Sequence, residues 1–137
     1  MHCHPIPCCS LDAMCQCFNH KRVISLCPVA SSADEVALTS AIARAKETFH
    51  HIDGLVLNAG TLDPCRIGDN TPLGVWRSHF EINFFSLVTA LKAALLSLRE
   101  SELGGRVIFI SSGAAVKGIP GWGPYNASKA AMNSLCR

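Results

Sequence analysis

An α/β fold built on an open, doubly wound parallel sheet is predicted by three features of the chain. Two short apolar runs bounded by turn residues read as buried strands: Leu55-Val-Leu57 within GLVLNAG, continuous as in a strand buried on both faces of a parallel sheet, and Arg106-Val-Ile-Phe-Ile-Ser111. Residues 31–49 and 73–100 carry apolar side chains at helical spacing. Strand and helix patterns therefore alternate, the arrangement in which helices pack onto the sheet they connect.

Residues 1–20, MHCHPIPCCSLDAMCQCFNH, precede this pattern and fit none of it. They hold Cys3, Cys8, Cys9, Cys15 and Cys17 with His2, His4 and His20. Zinc prefers such ligands, but Cys8 and Cys9 are adjacent, one residue separates Cys15 from Cys17, and no Cys-x2-Cys pair exists. No metal site is expected, and nothing directs the chain to an oxidising compartment where disulfides would persist. The favoured reading is an unassigned, poorly ordered tail that does not belong to the parent fold, such as the product of a mis-set start or splice junction.

Regular structure is expected from residue 21 onward. Arg22-Val-Ile-Ser-Leu-Cys27 reads as a short buried strand. Ser32, with Glu35 three residues later, reads as the N-cap of a helix to about Phe49, whose apolar face is Val36, Leu38, Ile42, Ala45 and Phe49. His50 stands at its end, where a left-handed residue is tolerable. After the strand at Leu55, Asn58-Ala59-Gly60 gives a close backbone approach to a ligand, and Asn58 is expected to pin neighbouring strands. Thr61 to Pro72 is read as a loop over the site, with Cys65 and Arg66 exposed. Leu73 to Glu100 is a long helix with the stripe Phe80, Phe84, Val88, Leu91, Leu95 and Leu98, widened by Phe85 and Leu96. So broad an apolar surface implies burial on two sides, one against the sheet and one against another chain. Gly104-Gly105 ends it, the strand from Arg106 follows, and Gly113 to Gly123 reads as a flexible loop on the substrate side.

The chemistry lies in ISSGAAVKGIPGWGPYNASKAAMNSL, from Ile110 to Leu135. Ser112 follows the strand, and Tyr125-x-x-x-Lys129 spans about one helical turn, so phenol and ammonium share a face roughly 6 Å apart along the axis. A free phenol titrates near pH 10, and a fixed cation beside it favours phenolate by roughly 1–3 units. A tyrosine so placed can give its proton to a carbonyl oxygen that Ser112 holds by a hydrogen bond.

Ser112, Tyr125-x-x-x-Lys129, Asn58-Ala59-Gly60 and Asn83, in this order of contexts, resemble the classical short-chain dehydrogenase/reductase family. LVLNAGTLDP, FEINFFSLVTAL and VIFISSGAAVKGIPGW are similar to its fungal benzil reductase and sepiapterin-reductase-like branch. The resemblance runs from about Arg22 to Arg137, a partial domain at 21–137. It implies a Rossmann-like fold truncated at both ends, an internal fragment: the family's first strand, Gly-rich turn and first helix have no counterpart, nor do the segments that follow the Tyr–Lys helix. Pro28 stands where the family commonly has the Asp that contacts adenine. By resemblance Tyr125 is the proton donor, Ser112 the carbonyl clamp, and Lys129 the tuner of Tyr125 and binder of the nicotinamide ribose. Asn83 holds a water in the proton relay, Asn58, Ala59 and Gly60 flank the cofactor, and Tyr125 and Lys129 also contact it. The cofactor is NADP, NAD not being excluded, and the substrate a small-molecule ketone or diketone. The alternative is a non-catalytic fragment that pairs with a full-length relative, or with itself as a homo-oligomer, through the helix at 73–100.

Composition narrows the partners. With 49% hydrophobic and 16% charged residues and a net charge of +2 from scattered side chains, the chain suits a globular domain rather than a nucleic-acid binder. The apolar stretch from Phe84 to Leu98 is interrupted by Lys92 and falls short of the roughly 20 residues of a membrane span. With no basic, apolar leader pattern at the N-terminus, the expected location is cytoplasmic. The order Gly118, Gly121, Gly123 is not a phosphate-binding G-x-G-x-x-G, the sequon Asn126-Ala-Ser128 lies inside the Tyr–Lys pair, and Ser112 lacks the setting of a hydrolase elbow.

Overall fold

The computed structural model describes residues 34–137 together with two earlier strands, β1 (Met14–Phe18) and β2 (Lys21–Ser25). These two pair antiparallel, Phe18 opposite Lys21 and Met14 opposite Ser25. The segment beginning at Arg22 is therefore a strand as expected, but it joins a local hairpin instead of the parallel sheet, and part of the presumed tail is its partner. Pairing with the adjacent segment closes a very short loop, which costs little chain entropy. Ser32, Pro28 and the remaining Cys/His-rich positions lie outside the described residues.

Helix α1 (Glu35–Phe49) is capped by Asp34, whose Oδ1 accepts from the Ala37 N–H at 3.0 Å. A carboxylate at this position satisfies an orphan amide and complements the helix dipole. Ile42 and Ala45 are buried and Leu38 and Phe49 half-buried, whereas Val36, at the solvent end of the helix, is exposed. His50 closes the helix in the left-handed region, φ 68°, and its N–H donates to Lys46 O at 2.7 Å. Strand β3 (Gly54–Leu57) then pairs in parallel with β4 (Arg106–Phe109), Leu55 opposite Val107 and Leu57 opposite Phe109.

The crossover between β3 and β4 is one continuous helical rod from Leu73 to Arg99. It comprises α2 (Leu73–Phe80), a π-helical turn at Glu81–Phe85 and α3 (Ser86–Arg99). Its 27 residues are long and apolar enough to cross a membrane by length and composition alone, a test that a buried core helix also passes. The face toward the core is not the expected stripe. His79, Asn83, Leu87, Ala90, Ala94 and Leu98 are buried, while Leu95 is exposed and Phe84 and Leu91 only flank the core. Leu98 is buried as expected, but Leu87, Ala90 and Ala94 complete the apolar part of that face in place of Val88, Leu91 and Leu95.

The core gathers Ile42, Ala45, Leu55, Leu57, Leu87, Ala94, Leu98 and Met132 on one side of the sheet. At the far end of the rod, Ser97 Oγ accepts from the Ile52 N–H at 3.0 Å and Ser101 Oγ donates to Asp53 Oδ1, fastening α3 to the start of β3. Gly105 is obligatory there, because a Cβ would stand 2.1 Å from Leu98 O. Strands β3 and β4 are not buried on both faces among the described residues: Val56 and Ile108 each remain 54% exposed. The loop after β4 also contains a single-turn helix, α4 (Ala114–Lys117), before α5 (Gly123–Leu135).

Candidate active site

The carboxyl end of β3 and β4, the π-helical turn and the start of α5 converge on Lys129. Its side chain is 4% exposed, and Nζ donates to Ile110 O, just past β4, at 2.9 Å. Burial lowers the Lys129 pKa from the ordinary value of 10.5. Nζ lies 5.9 Å from the centre of the Tyr125 ring, the geometry expected of residues one turn apart. Tyr125 is half-buried, and Trp122 meets its ring edge-on at 5.8 Å and 89°. Pro124 in the first turn of α5 starts the helix just ahead of Tyr125.

Gly60 stands behind Lys129. A Cβ at position 60 would lie 3.5 Å from Lys129 Nζ and 3.4 Å from Asn83 Oδ1, so the Gly60 backbone sits beside the amine and the amide at about side-chain contact distance. Asn58 and Gly60 are exposed and Ala59 is half-buried. Asn83 ties different segments from those expected of Asn58. Its Oδ1 accepts from the Thr61 N–H at 2.7 Å, and its Nδ2 donates to Thr61 O at 2.9 Å and to Ser128 Oγ at 3.1 Å. Ser128 Oγ donates onward to Tyr125 O at 2.9 Å. One amide thus ties the loop after β3 to the helix carrying Tyr125 and Lys129. The π-helical turn, which widens the helix locally and is frequent at functional sites, is where that amide sits.

Ser112 is half-buried, and its Oγ accepts from the Ala114 N–H at 3.2 Å, which leaves the hydroxyl proton to donate elsewhere. Its neighbour Ser111 donates to Asn133 Oδ1 at 2.5 Å, joining this loop to α5. Cys65, expected to be exposed, is buried: its N–H donates to Gly121 O at 2.7 Å in a parallel bridge with Trp122, while Arg66 is exposed as expected. The Trp76 ring lies on Gly123, where a Cβ would come within 2.7 Å of it.

Sequence reasoning missed His79, Thr61, Ser128 and the two tryptophans. His79 left one signal: it stands four residues before Asn83, the second polar residue on a buried helix face. The others act through tertiary contacts that spacing does not encode.

Lys129 has given one of its three N–H donors to Ile110 O, which leaves two uncommitted among the described residues. The short chain dehydrogenase profile matches residues 11–137, beginning ahead of Arg22. An uncharacterised oxidoreductase of Schizosaccharomyces pombe is 41% identical over 96 residues, 70% of this chain and 38% of that protein. The benzil reductase ((S)-benzoin forming) of Saccharomyces cerevisiae is 34% identical over 104 residues, 73% of this chain and 40% of the relative. A 7α-hydroxysteroid dehydrogenase solved with NADH and 7-oxo glycochenodeoxycholic acid superposes with TM-score 0.70 at 27% identity, covering 76% of this chain and 40% of its own. The fold is Rossmann-like, the class its solved neighbours define. The chain belongs to the short chain dehydrogenase family, whose members bind NAD(P), and spans about two-fifths of the length of the curated relatives it matches.

Proposed function

We propose that this chain carries the reacting end of an NAD(P)H-dependent carbonyl reductase acting on a ketone or vicinal diketone. The observation that carries the reading is Lys129, buried one turn from Tyr125, held by Ile110 O and backed by Gly60. NADPH, when bound, supplies the hydride. Asn58, Ala59 and Gly60 flank it, and Lys129 holds the ribose. Ser112 donates a hydrogen bond to the carbonyl oxygen, and Tyr125 Oη gives that oxygen its proton. The ammonium of Lys129 stabilises the charge left on the phenol. Asn83 is assigned the water of the proton relay; because both of its amide protons are engaged by Thr61 and Ser128, that water falls to its remaining acceptors.

The diketone substrate is supported by the similarity to benzil reductase, and NADPH is chosen over NADH on the habit of that branch, although the steroid dehydrogenase neighbour was solved with NADH. Phe85, 48% exposed, and Leu96, 66% exposed, extend along one rod and are the surface we assign to a second chain. The test is steady-state reduction of benzil with NADPH and with NADH. Tyr125→Phe is expected to lower kcat by about 10²–10⁴-fold with the far-UV circular dichroism unchanged. Turnover within threefold of wild type, on a scale where general acids contribute about 10²–10⁴-fold, would sink the assignment.

A further inference from the structure

The segment after Gly60 is fastened at three points. Thr61 is held on both its N–H and its C=O by Asn83, the Asp63 N–H donates to His79 Nε2 at 3.0 Å, and Cys65 is bridged to Gly121. His79 is 1% exposed and takes no part in the chemistry above. Both of its nitrogens are committed. Nε2 must be bare to accept from Asp63, so the ring proton is on Nδ1 and donates to Val75 O at 2.8 Å. His79 and Asn83 are four residues apart in the same rod, which puts their two grips on the loop side by side.

Resting on the reductase reading of the site, we propose that His79 is a positioning residue: as the neutral Nδ1–H tautomer it fixes Asp63, so that with Asn83 the loop from Gly60 to Asp63 is held at two points and cannot pivot about Thr61. Gly60 forms the wall against Lys129, with the position of its absent Cβ only 3.5 Å from Nζ. A rotation of the loop would therefore change how the Gly60 backbone lies beside the amine. His79 touches neither substrate nor cofactor. It acts through the placement of the wall next to Lys129.

The test compares the full chain with His79→Leu, which fills the space without an acceptor, and His79→Gln, whose amide oxygen can replace Nε2. Amide exchange followed by NMR reads the loop directly and needs no turnover. Leu is expected to speed exchange at Asp63 about tenfold or more, as a lost buried hydrogen bond should, while Gln stays within about twofold of wild type. The amides of Leu57 and Leu87 should be unchanged in both. In NADPH-dependent benzil reduction, Leu should raise the KM for NADPH several-fold more than it lowers kcat, and Gln should restore it. Unchanged Asp63 exchange in the Leu variant, or equal acceleration in Leu and Gln, overturns the proposal. Should the Leu variant unfold, long-range ¹⁵N–¹H couplings in the wild type decide: an Nδ1–H tautomer supports it, and an Nε2–H tautomer overturns it. A wild type that turns over nothing would defeat the reductase reading, while the exchange and tautomer results still decide the role of His79.

Discussion

The two faces of the β3–β4 pair differ more than their sequences do. On one face Leu55 and Leu57 are packed beneath α1 and the helical rod; on the other Val56 and Ile108 remain open among the described residues. The covered face also carries these contacts, because the rod that packs with Leu57 contributes Asn83 and His79 four residues apart, and these hold the loop from Gly60 to Asp63 that lies beside Lys129. Packing and positioning are therefore the same helix at work. Alternation along the strand divides the two environments.

The comparison is broken most severely by Leu57→Ala, expected to cost about 2–5 kcal/mol in urea unfolding, whereas Val56→Ala should stay near 0.5 kcal/mol or below. Comparable costs at both positions would mean that the second face is covered as well. Asn83→Leu comes next. It strands the Thr61 N–H and C=O and the Ser128 hydroxyl, for an expected loss of about 2 kcal/mol and faster amide exchange at Thr61.

A smaller effect concerns pH. Burial lowers the folded-state pKa of Lys129, so between that value and the ordinary 10.5 the unfolded chain binds more protons than the native one. This contribution makes stability rise with pH across that window. Lys129→Met should flatten the rise, and an identical slope in the variant would show that the amine is not desolvated. Least of all in stability is Leu96→Glu, expected to shift unfolding by about 0.5 kcal/mol or less; if the second-chain surface proposed above is right, the wild type associates with concentration in sedimentation and the variant does not.

Much of this was legible from local pattern. The runs at Leu55 and Arg106 are strands, residues 35–49 and 73–99 are helical, His50 adopts the left-handed cap, and Lys129 meets Tyr125 at one turn, because each depends on neighbours within a few residues. What escaped depends on distant partners. A continuous apolar run such as Leu55-Val-Leu57 cannot say which of its faces a helix will reach, and among the described residues only the Leu55 and Leu57 face is covered. The expected rod stripe held at Leu98 but not at Leu95, because the buried face runs through Leu87, Ala90 and Ala94, and an alanine carries too weak an apolar signal to mark it. Cys65 looked like a loop residue until its bridge to Trp122 buried it, and the Arg22 strand was drawn into a hairpin by a segment that carried no strand signal.

The most direct measurement is a fluorescence titration of the purified chain with NADPH, beside Gly60→Val, whose side chain would crowd Lys129 Nζ and Asn83 Oδ1. Saturable binding by the wild type, weakened about tenfold or more in the variant, is the predicted result, tenfold being about 1.4 kcal/mol. A wild type that is folded by circular dichroism yet fails to bind, or binding that Gly60→Val leaves untouched, would contradict the assignment of the cofactor to the wall between Gly60 and Lys129.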